Sequence, residues 1–95
     1  MPSRTCIVLF TIAGCPACAE HAPIFRRVAA AYASRIPVHV LDANDPRHTA
    51  LADRVGVRAV PATALLRRPT GVVRLDGVAD EDDLRRLFEL AIAYA

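Results

Sequence analysis

Residues 6–18 decide the fold, and they read Cys-Ile-Val-Leu-Phe-Thr-Ile-Ala-Gly-Cys-Pro-Ala-Cys. The apolar, partly β-branched run at residues 5–10 predicts a strand that is buried on both faces. Pro16 suits the first position of a helix, so Cys15 and Cys18 should lie one turn apart at a helix start. Unpaired backbone N–H groups and the positive end of the helix dipole favour a thiolate there. Because the thiolate is the nucleophile in disulfide exchange, the pair is predicted to be redox-active.

The composition is that of one globular domain over residues 1–95, with 54% apolar and 23% charged residues. A net charge of +2 and basic runs no longer than two residues predict no nucleic-acid partner. No apolar stretch is long enough to span a bilayer, so we expect no membrane association. Three cysteines, a close pair and a single one, favour a cytoplasmic redox protein over a secreted disulfide-stapled domain. We expect this protein to be a monomer.

The first residues also resemble a short bacterial lipoprotein signal, in which Ile12-Ala13-Gly14-Cys15 would be the cleavage site. Processing there would lipidate Cys15 and remove the first strand. We expect residues 1–15 to stay part of the fold, because the apolar run is short and only one positive charge precedes it. The alternative also leaves Cys18 without a role.

Periodic patterns organise the middle of the chain. A helix is predicted over residues 16–34, kinked at Pro23. Its apolar stripe consists of Ile24, Phe25, Val28, Ala31 and Tyr32. A second strand follows at residues 38–41. Asp45-Pro46 then predicts the capped start of a further helix, which ends before Gly56.

The last third of the chain predicts a hairpin and a final helix. Residues 63–67 and 72–75 are the two strands, joined around Pro69-Thr70-Gly71. Asp80 caps the final helix, whose apolar face consists of Leu84, Leu87, Phe88 and Ala91. The order β-α-β-α-β-β-α predicts an α/β fold with a four-stranded mixed sheet flanked by helices. Its first two strands should be parallel and its last two antiparallel.

Together these features resemble the thioredoxin superfamily, in the compact form that glutaredoxins have. The Cys15-Pro16-Ala17-Cys18 motif follows the first strand, and Pro23 stands where the family kinks its active-site helix. Val60-Pro61 looks like the end of the segment that carries the family's cis-proline. Gly71 looks like the hairpin glycine, and Gly77 like the glycine before the last helix.

The chain departs from the family's pattern at three points. Only residues 1–4 precede the first strand, so we expect the core without the family's extra N-terminal strand and helix. Gly14 stands where the family has a tryptophan before its first cysteine. Leu9 stands where thioredoxins carry a buried aspartate, which is thought to help move the proton of the second cysteine.

The resemblance implies a thiol–disulfide oxidoreductase, a disulfide reductase of electron transport that needs no bound cofactor or metal. Cys15 would be the catalytic nucleophile that attacks a protein disulfide, and Cys18 would resolve the mixed disulfide. The implied substrate-binding residues are Gly14, Pro16, Ala17, Val60, Pro61 and Gly77. The electron donor would be a thioredoxin-reductase-type protein or glutathione. We favour the former because Ala13-Gly14 and Val78 replace a basic residue and a second glycine of glutaredoxins.

Three alternatives stay open. The chain could be a glutathione-dependent glutaredoxin, a binding module that keeps the fold without turnover, or a dimer in which two cysteine pairs hold zinc or an iron–sulfur cluster. Outside the pair, Cys6 is expected to be a small buried hydrophobic residue of the first strand. His21 is expected to be packed or solvent-facing rather than a proton carrier, and Glu20 to be solvated.

Overall fold

The computed structural model describes residues 4–95, and the predicted order of strands and helices is confirmed. The elements are β1 (Thr5–Thr11), α1 (Pro16–Tyr32), β2 (Val38–Asp42), α2 (Thr49–Val55), β3 (Ala62–Arg67), β4 (Gly71–Asp76) and α3 (Glu81–Tyr94). A short 3-10 turn at Pro46–His48 leads directly into α2.

The four strands form one mixed sheet in the order β2-β1-β3-β4. β1 runs parallel to β2, with Leu9 opposite Val40, and antiparallel to β3, with Leu9 opposite Thr63. β3 and β4 form the predicted antiparallel hairpin. The α/β fold with a four-stranded mixed sheet is therefore confirmed. β1, which leads to the cysteine motif at the start of α1, is an interior strand.

Side chains of β1 alternate between two hydrophobic clusters, one on each face of the sheet. Ile7 and Leu9 pack under α1 and α3, against buried residues such as Phe25 and Phe88. On the other face, Val8, Phe10, Ala52, Val55, Ala62 and Ala64 form a smaller cluster under α2. A strand buried on both faces is what a continuous apolar run requires, and it anchors the segment that leads to Cys15.

The helices differ from the prediction in three details. α1 continues through Pro23, as predicted, but ends at Tyr32, two residues before the predicted end. Ala31, predicted to be in the apolar stripe, is exposed, because the buried face of α1 turns towards Phe25 and Val28. The helix predicted from Pro46 begins as a 3-10 turn, in which the Asp45 side chain accepts a hydrogen bond from the Arg47 N–H at 2.9 Å. Short 3-10 turns of this kind are common at helix starts.

Cys6 packs against the smaller cluster but is only partly buried, whereas the sequence analysis expects a small buried residue there. Its side chain points to the face that α2 covers, and α2 has only seven residues. The lipoprotein-signal alternative falls partly on residues 1–3, which lie outside the described part of the chain. Among residues 4–95, no helix has both the length and the apolar character needed to cross a membrane.

Candidate active site

Cys15 occupies the N-cap position of α1, with extended backbone angles (φ −98°, ψ 112°). Its sulfur accepts a hydrogen bond from the backbone N–H of Cys18, at a distance of 3.1 Å. Pro16 follows as the first helical residue, where no backbone donor is needed. The thiol of Cys15 therefore takes the place of the oxygen that Ser, Thr or Asp supplies at ordinary helix caps.

The two thiols differ in their access to solvent. Cys15 is partly exposed, whereas Cys18 is 5% exposed, because its position one turn into α1 faces the sheet. Both are free thiols in the structure. A disulfide of another protein can thus reach the sulfur of Cys15 but not that of Cys18.

The pKa values of the two thiols shift in opposite directions. The hydrogen bond with Cys18 and desolvation raise the pKa of Cys15, although the backbone N–H groups of Cys18 and Ala17 act in the opposite direction. Burial raises the pKa of Cys18, but hydrogen bonds from the side chains of Cys15 and Thr11 and from the Ile12 backbone outweigh burial, so this pKa is lowered. The sequence predicts that the helix start favours the thiolate of Cys15, but in the reduced pair the hydrogen bond between the two thiols raises the pKa of Cys15 and favours the thiolate of Cys18.

The turn before β3 lies beside the cysteine pair. The Val60–Pro61 peptide bond is cis, and Pro61 is buried. The carbonyl oxygen of Val60 lies 3.9 Å from the sulfur of Cys15, although the two residues are 45 positions apart. The backbone N–H of Gly77 donates to the carbonyl oxygen of Pro61 at 2.9 Å. This contact needs a left-handed backbone at Gly77 (φ 77°), which favours glycine there.

These contacts bring together most of the residues predicted from the sequence. Val60, Pro61 and Gly77 form one side of the site, opposite Cys15. Gly14 and Pro16 are exposed beside Cys15, and Ala17 is half-buried in the first turn of α1. Glu20 is exposed, as expected. Among residues 4–95, no three His, Cys, Asp or Glu side chains come close enough together to hold a metal ion.

His21 is packed, which is one of the two outcomes that the sequence analysis expects, and its two contacts lie outside what the sequence indicates. It is fully buried one turn after Cys18, and its Nε2 lies 2.9 Å from the hydroxyl of Thr63. Its Nδ1 accepts a hydrogen bond from the backbone N–H of Ala79 at 3.2 Å, so the proton of a neutral ring is on Nε2 and is donated to Thr63. Burial lowers the pKa of His21 and keeps it neutral.

The buried histidine links the three segments that surround the cysteine pair. His21 belongs to α1, Thr63 follows the cis-proline, and Ala79 lies in the turn after Gly77. Leu9 is 4% exposed and pairs with Thr63 across the sheet. The spacing of His21 from Cys18 was the only signal for this histidine in the sequence, because its contact with Thr63 spans 42 positions.

Comparison with known proteins assigns this architecture to a family. The sequence model of the family described as Thioredoxin matches residues 1–89. This match covers the cysteine motif, the cis-proline turn and most of α3.

Solved structures give the same picture for the fold. The chain is similar to the J-Trx1 fragment of ERdj5 (TM-score 0.79, 21% identity), with 96% of this chain covered. It spans only 44% of that fragment. Thioredoxin-2 of a malaria parasite matches with a TM-score of 0.78 and 23% identity, covering 95% of this chain and 85% of that one. A mutant thioredoxin from Halobacterium salinarum NRC-1 matches with a TM-score of 0.76 and 27% identity, covering 95% and 76%.

Proposed function

The chain belongs to the thioredoxin family, and from this membership and the geometry of the cysteine pair we propose that it is a thiol–disulfide oxidoreductase acting on protein disulfides. The observation that carries the proposal is the cap of α1. There, a partly exposed Cys15 sulfur accepts the N–H of Cys18, and the Cys18 thiol is buried directly behind it. A partner disulfide can reach the sulfur of Cys15, whereas only Cys15 can reach the sulfur of Cys18.

The reaction proceeds in two exchanges. The thiolate of Cys15 attacks a sulfur of the substrate disulfide, that S–S bond breaks, and the leaving thiolate takes up a proton. The mixed disulfide holds the substrate on Cys15. Cys18 then loses its proton and attacks the Cys15 sulfur, which releases the second substrate thiol and forms the Cys15–Cys18 disulfide. The substrate disulfide gains two electrons and two protons, and the protein dithiol loses them.

Substrate binding is assigned to the surface around Cys15. The backbone of Val60, held beside the sulfur by the buried Pro61, is available to pair with an extended segment of the substrate. The residues around Cys15 leave room for a second polypeptide, because each is small or lacks a backbone N–H donor. Gly14 and Pro16 lie on one side with Ala17 behind them, and Gly77 lies on the other side. The attacking sulfur is that of Cys15, because Cys18 is buried. Since the pKa of Cys18 is the lower one, Cys15 passes its proton to Cys18 before it attacks, and Cys18 loses this proton in the second exchange.

The test is substitution of each cysteine. Cys15→Ser should abolish reduction of a protein disulfide, and Cys18→Ser should accumulate mixed disulfides through Cys15, because resolution is lost. Cys6→Ala is the matched control and should keep turnover within a few-fold. Limiting alkylation of the reduced protein should label Cys15 before Cys18 at neutral pH. If Cys18 is labelled first, or if Cys18→Ser forms no mixed disulfide, the assignment is wrong.

We propose a thioredoxin-reductase-type protein, rather than glutathione, as the electron donor. A site for glutathione needs fixed partners for its carboxylates and amine, and no basic residue directly precedes Cys15. Two acidic groups after Gly77 are already engaged: Asp80 accepts the Asp83 N–H at 2.8 Å, and Asp83 pairs with Arg86 at 3.4 Å. The three free thiols, an odd number, support a reducing, cytoplasmic location.

The donor is tested by coupled turnover. NADPH oxidation by thioredoxin reductase should be fast and should saturate as the concentration of this protein is raised. Reduction by glutathione and its reductase should be slow. The reverse result, with efficient reduction by millimolar glutathione, would identify the chain as a glutaredoxin.

A further inference from the structure

The two faces of the sheet are covered unequally. On one face lie α1, with 17 residues, and α3, with 14 residues. On the other face lies α2, with seven residues. A groove of about 660 Å³ remains open there, between α2 and the turn of the β3–β4 hairpin. We call it the basic groove, and it has an apolar floor and a positively charged rim.

The floor of the basic groove is apolar. Cys6, Leu66 and Val72 lie side by side on three neighbouring strands, and Val8 continues the row on β1. Leu51 and Val55 of α2 form the adjoining wall. β1 and β3 are interior strands, so their backbone groups are paired within the sheet. Along β1 and β3, a bound molecule therefore meets apolar side chains and no unpaired backbone group.

The rim of the basic groove carries positive charge. The described residues that line it include four arginines and one histidine but no Asp or Glu, although the chain has ten acidic residues. The guanidinium of Arg67 lies over the ring of Tyr94, 4.7 Å from its centroid, which leaves Arg4, Arg54 and Arg68 for the groove. Within residues 4–95 these three form no ion pair, whereas five arginines elsewhere do: Arg27, Arg47, Arg74, Arg85 and Arg86.

We propose that the basic groove binds an anionic amphiphile, a single acyl chain that ends in a carboxylate. The acyl chain lies on the floor of Cys6, Leu66 and Val72, and the carboxylate pairs with Arg54 and Arg68. The volume is within the range of about 300–1,000 Å³ that small-ligand sites occupy. An acyl chain has no polar group between its ends, which matches a floor without hydrogen-bond partners. The groove shares no residue with the cysteine pair or with the Val60–Pro61 turn.

The single cysteine of the groove provides the probe. In a Cys15→Ser/Cys18→Ser variant, Cys6 is the only thiol, and its rate of alkylation reports access to the floor. Dodecanoate, below its micelle concentration, should slow this alkylation in a saturable way by at least about fivefold. Dodecyltrimethylammonium, with the same chain and the opposite charge, should not. Amide shifts in NMR spectra should change at groove residues over the same dodecanoate range.

Charge reversal tests whether the arginines of the rim contribute to binding or whether the apolar floor alone is responsible. Arg54→Glu/Arg68→Glu should weaken dodecanoate binding by about tenfold or more, because two charged hydrogen bonds are lost. Arg26→Glu, at an exposed position of α1, is the control and should leave dodecanoate binding unchanged. Equal protection by the two amphiphiles, no effect of the double reversal, or neither protection nor shift changes would overturn the proposal. Protection by an acidic amphipathic peptide but not by dodecanoate would assign the groove to a protein partner and also overturn it.

Discussion

At the scale of single residues, His21 shows how one buried polar side chain organises the site. Its two ring nitrogens bond to Thr63 and to the backbone of Ala79, so the ring holds α1, β3 and the turn before α3 together. The centroid of the His21 ring lies 6.0 Å from that of Phe25, which belongs to the larger cluster. Protonation would turn the acceptor Nδ1 into a donor facing the Ala79 N–H, and would place a charge in an apolar core.

We predict that His21 makes the fold sensitive to mild acid. An unfolded histidine has a pKa of about 6.5, and burial lowers the pKa of folded His21 below this. Below the unfolded pKa, the unfolded chain binds more protons, so the free energy of unfolding falls as pH falls, until the folded pKa is passed. The contribution of one group is at most about 1.4 kcal/mol per pH unit.

His21→Gln keeps an amide that can donate and accept but does not titrate. Urea unfolding of both proteins between pH 7.5 and 5 should show a smaller loss of stability in the variant. The other two histidines, His39 and His48, are present in both proteins, so the comparison isolates the change at position 21. Parallel pH profiles of the two proteins would show that His21 is not the sensitive group.

At the scale of elements, α2 is attached to the sheet mainly through its C-terminal end. Gly56 ends the helix in a left-handed conformation (φ 83°), and its N–H bonds to the carbonyl of Ala52. Arg74 of β4 donates to the carbonyl of Val55 at 2.7 Å and pairs with Asp76 at 2.7 Å. The arginine thus satisfies a carbonyl that the helix leaves unpaired at its end.

Gly56→Ala should destabilise the protein for two reasons. The left-handed conformation costs a residue with a Cβ roughly 1–2 kcal/mol, and the new Cβ would lie 2.5 Å from a guanidinium nitrogen of Arg74. Because Arg74→Ala removes that clash, the double variant should lose less stability than the sum of the two single losses. Denaturant unfolding of all four proteins measures the coupling. Strictly additive losses would show that the two residues do not interfere.

At the scale of the whole molecule, stability depends on the larger cluster between the sheet, α1 and α3. Phe88 is fully buried at its centre, stacked on Tyr32 with ring centroids 5.5 Å apart and tilted against Phe25 at 6.0 Å. This cluster joins the active-site helix to the last helix of the chain. Loss of its centre should therefore affect folding as a whole rather than one helix alone.

Phe88→Ala should cost about 3–5 kcal/mol, a large part of the 5–15 kcal/mol that stabilises a typical domain. Leu90→Ala on the same helix is the matched control, because Leu90 is 37% exposed and should cost much less. Denaturant midpoints of the two variants test this ranking. Equal costs would contradict the central place of Phe88 in the core.

The sequence by itself determined what depends on neighbours in the chain. The apolar run of β1, the proline at the start of α1 and the Asp80 cap of α3 all act within a few residues, and each predicted element is present. The cysteine motif was recognisable for the same reason, because its two thiols are joined through one turn of helix.

The tertiary structure alone decided what depends on contacts between distant segments. It placed β1 between β2 and β3 and joined His21 to Thr63 across 42 positions. Val60 was implied by the family resemblance, and the tertiary structure brought its carbonyl to 3.9 Å from the sulfur of Cys15. It also left Cys6 half-buried at the basic groove, which the apolar pattern of β1 had predicted to be covered. Periodicity tells which side of a strand is apolar, but only packing decides how much of that side a helix covers.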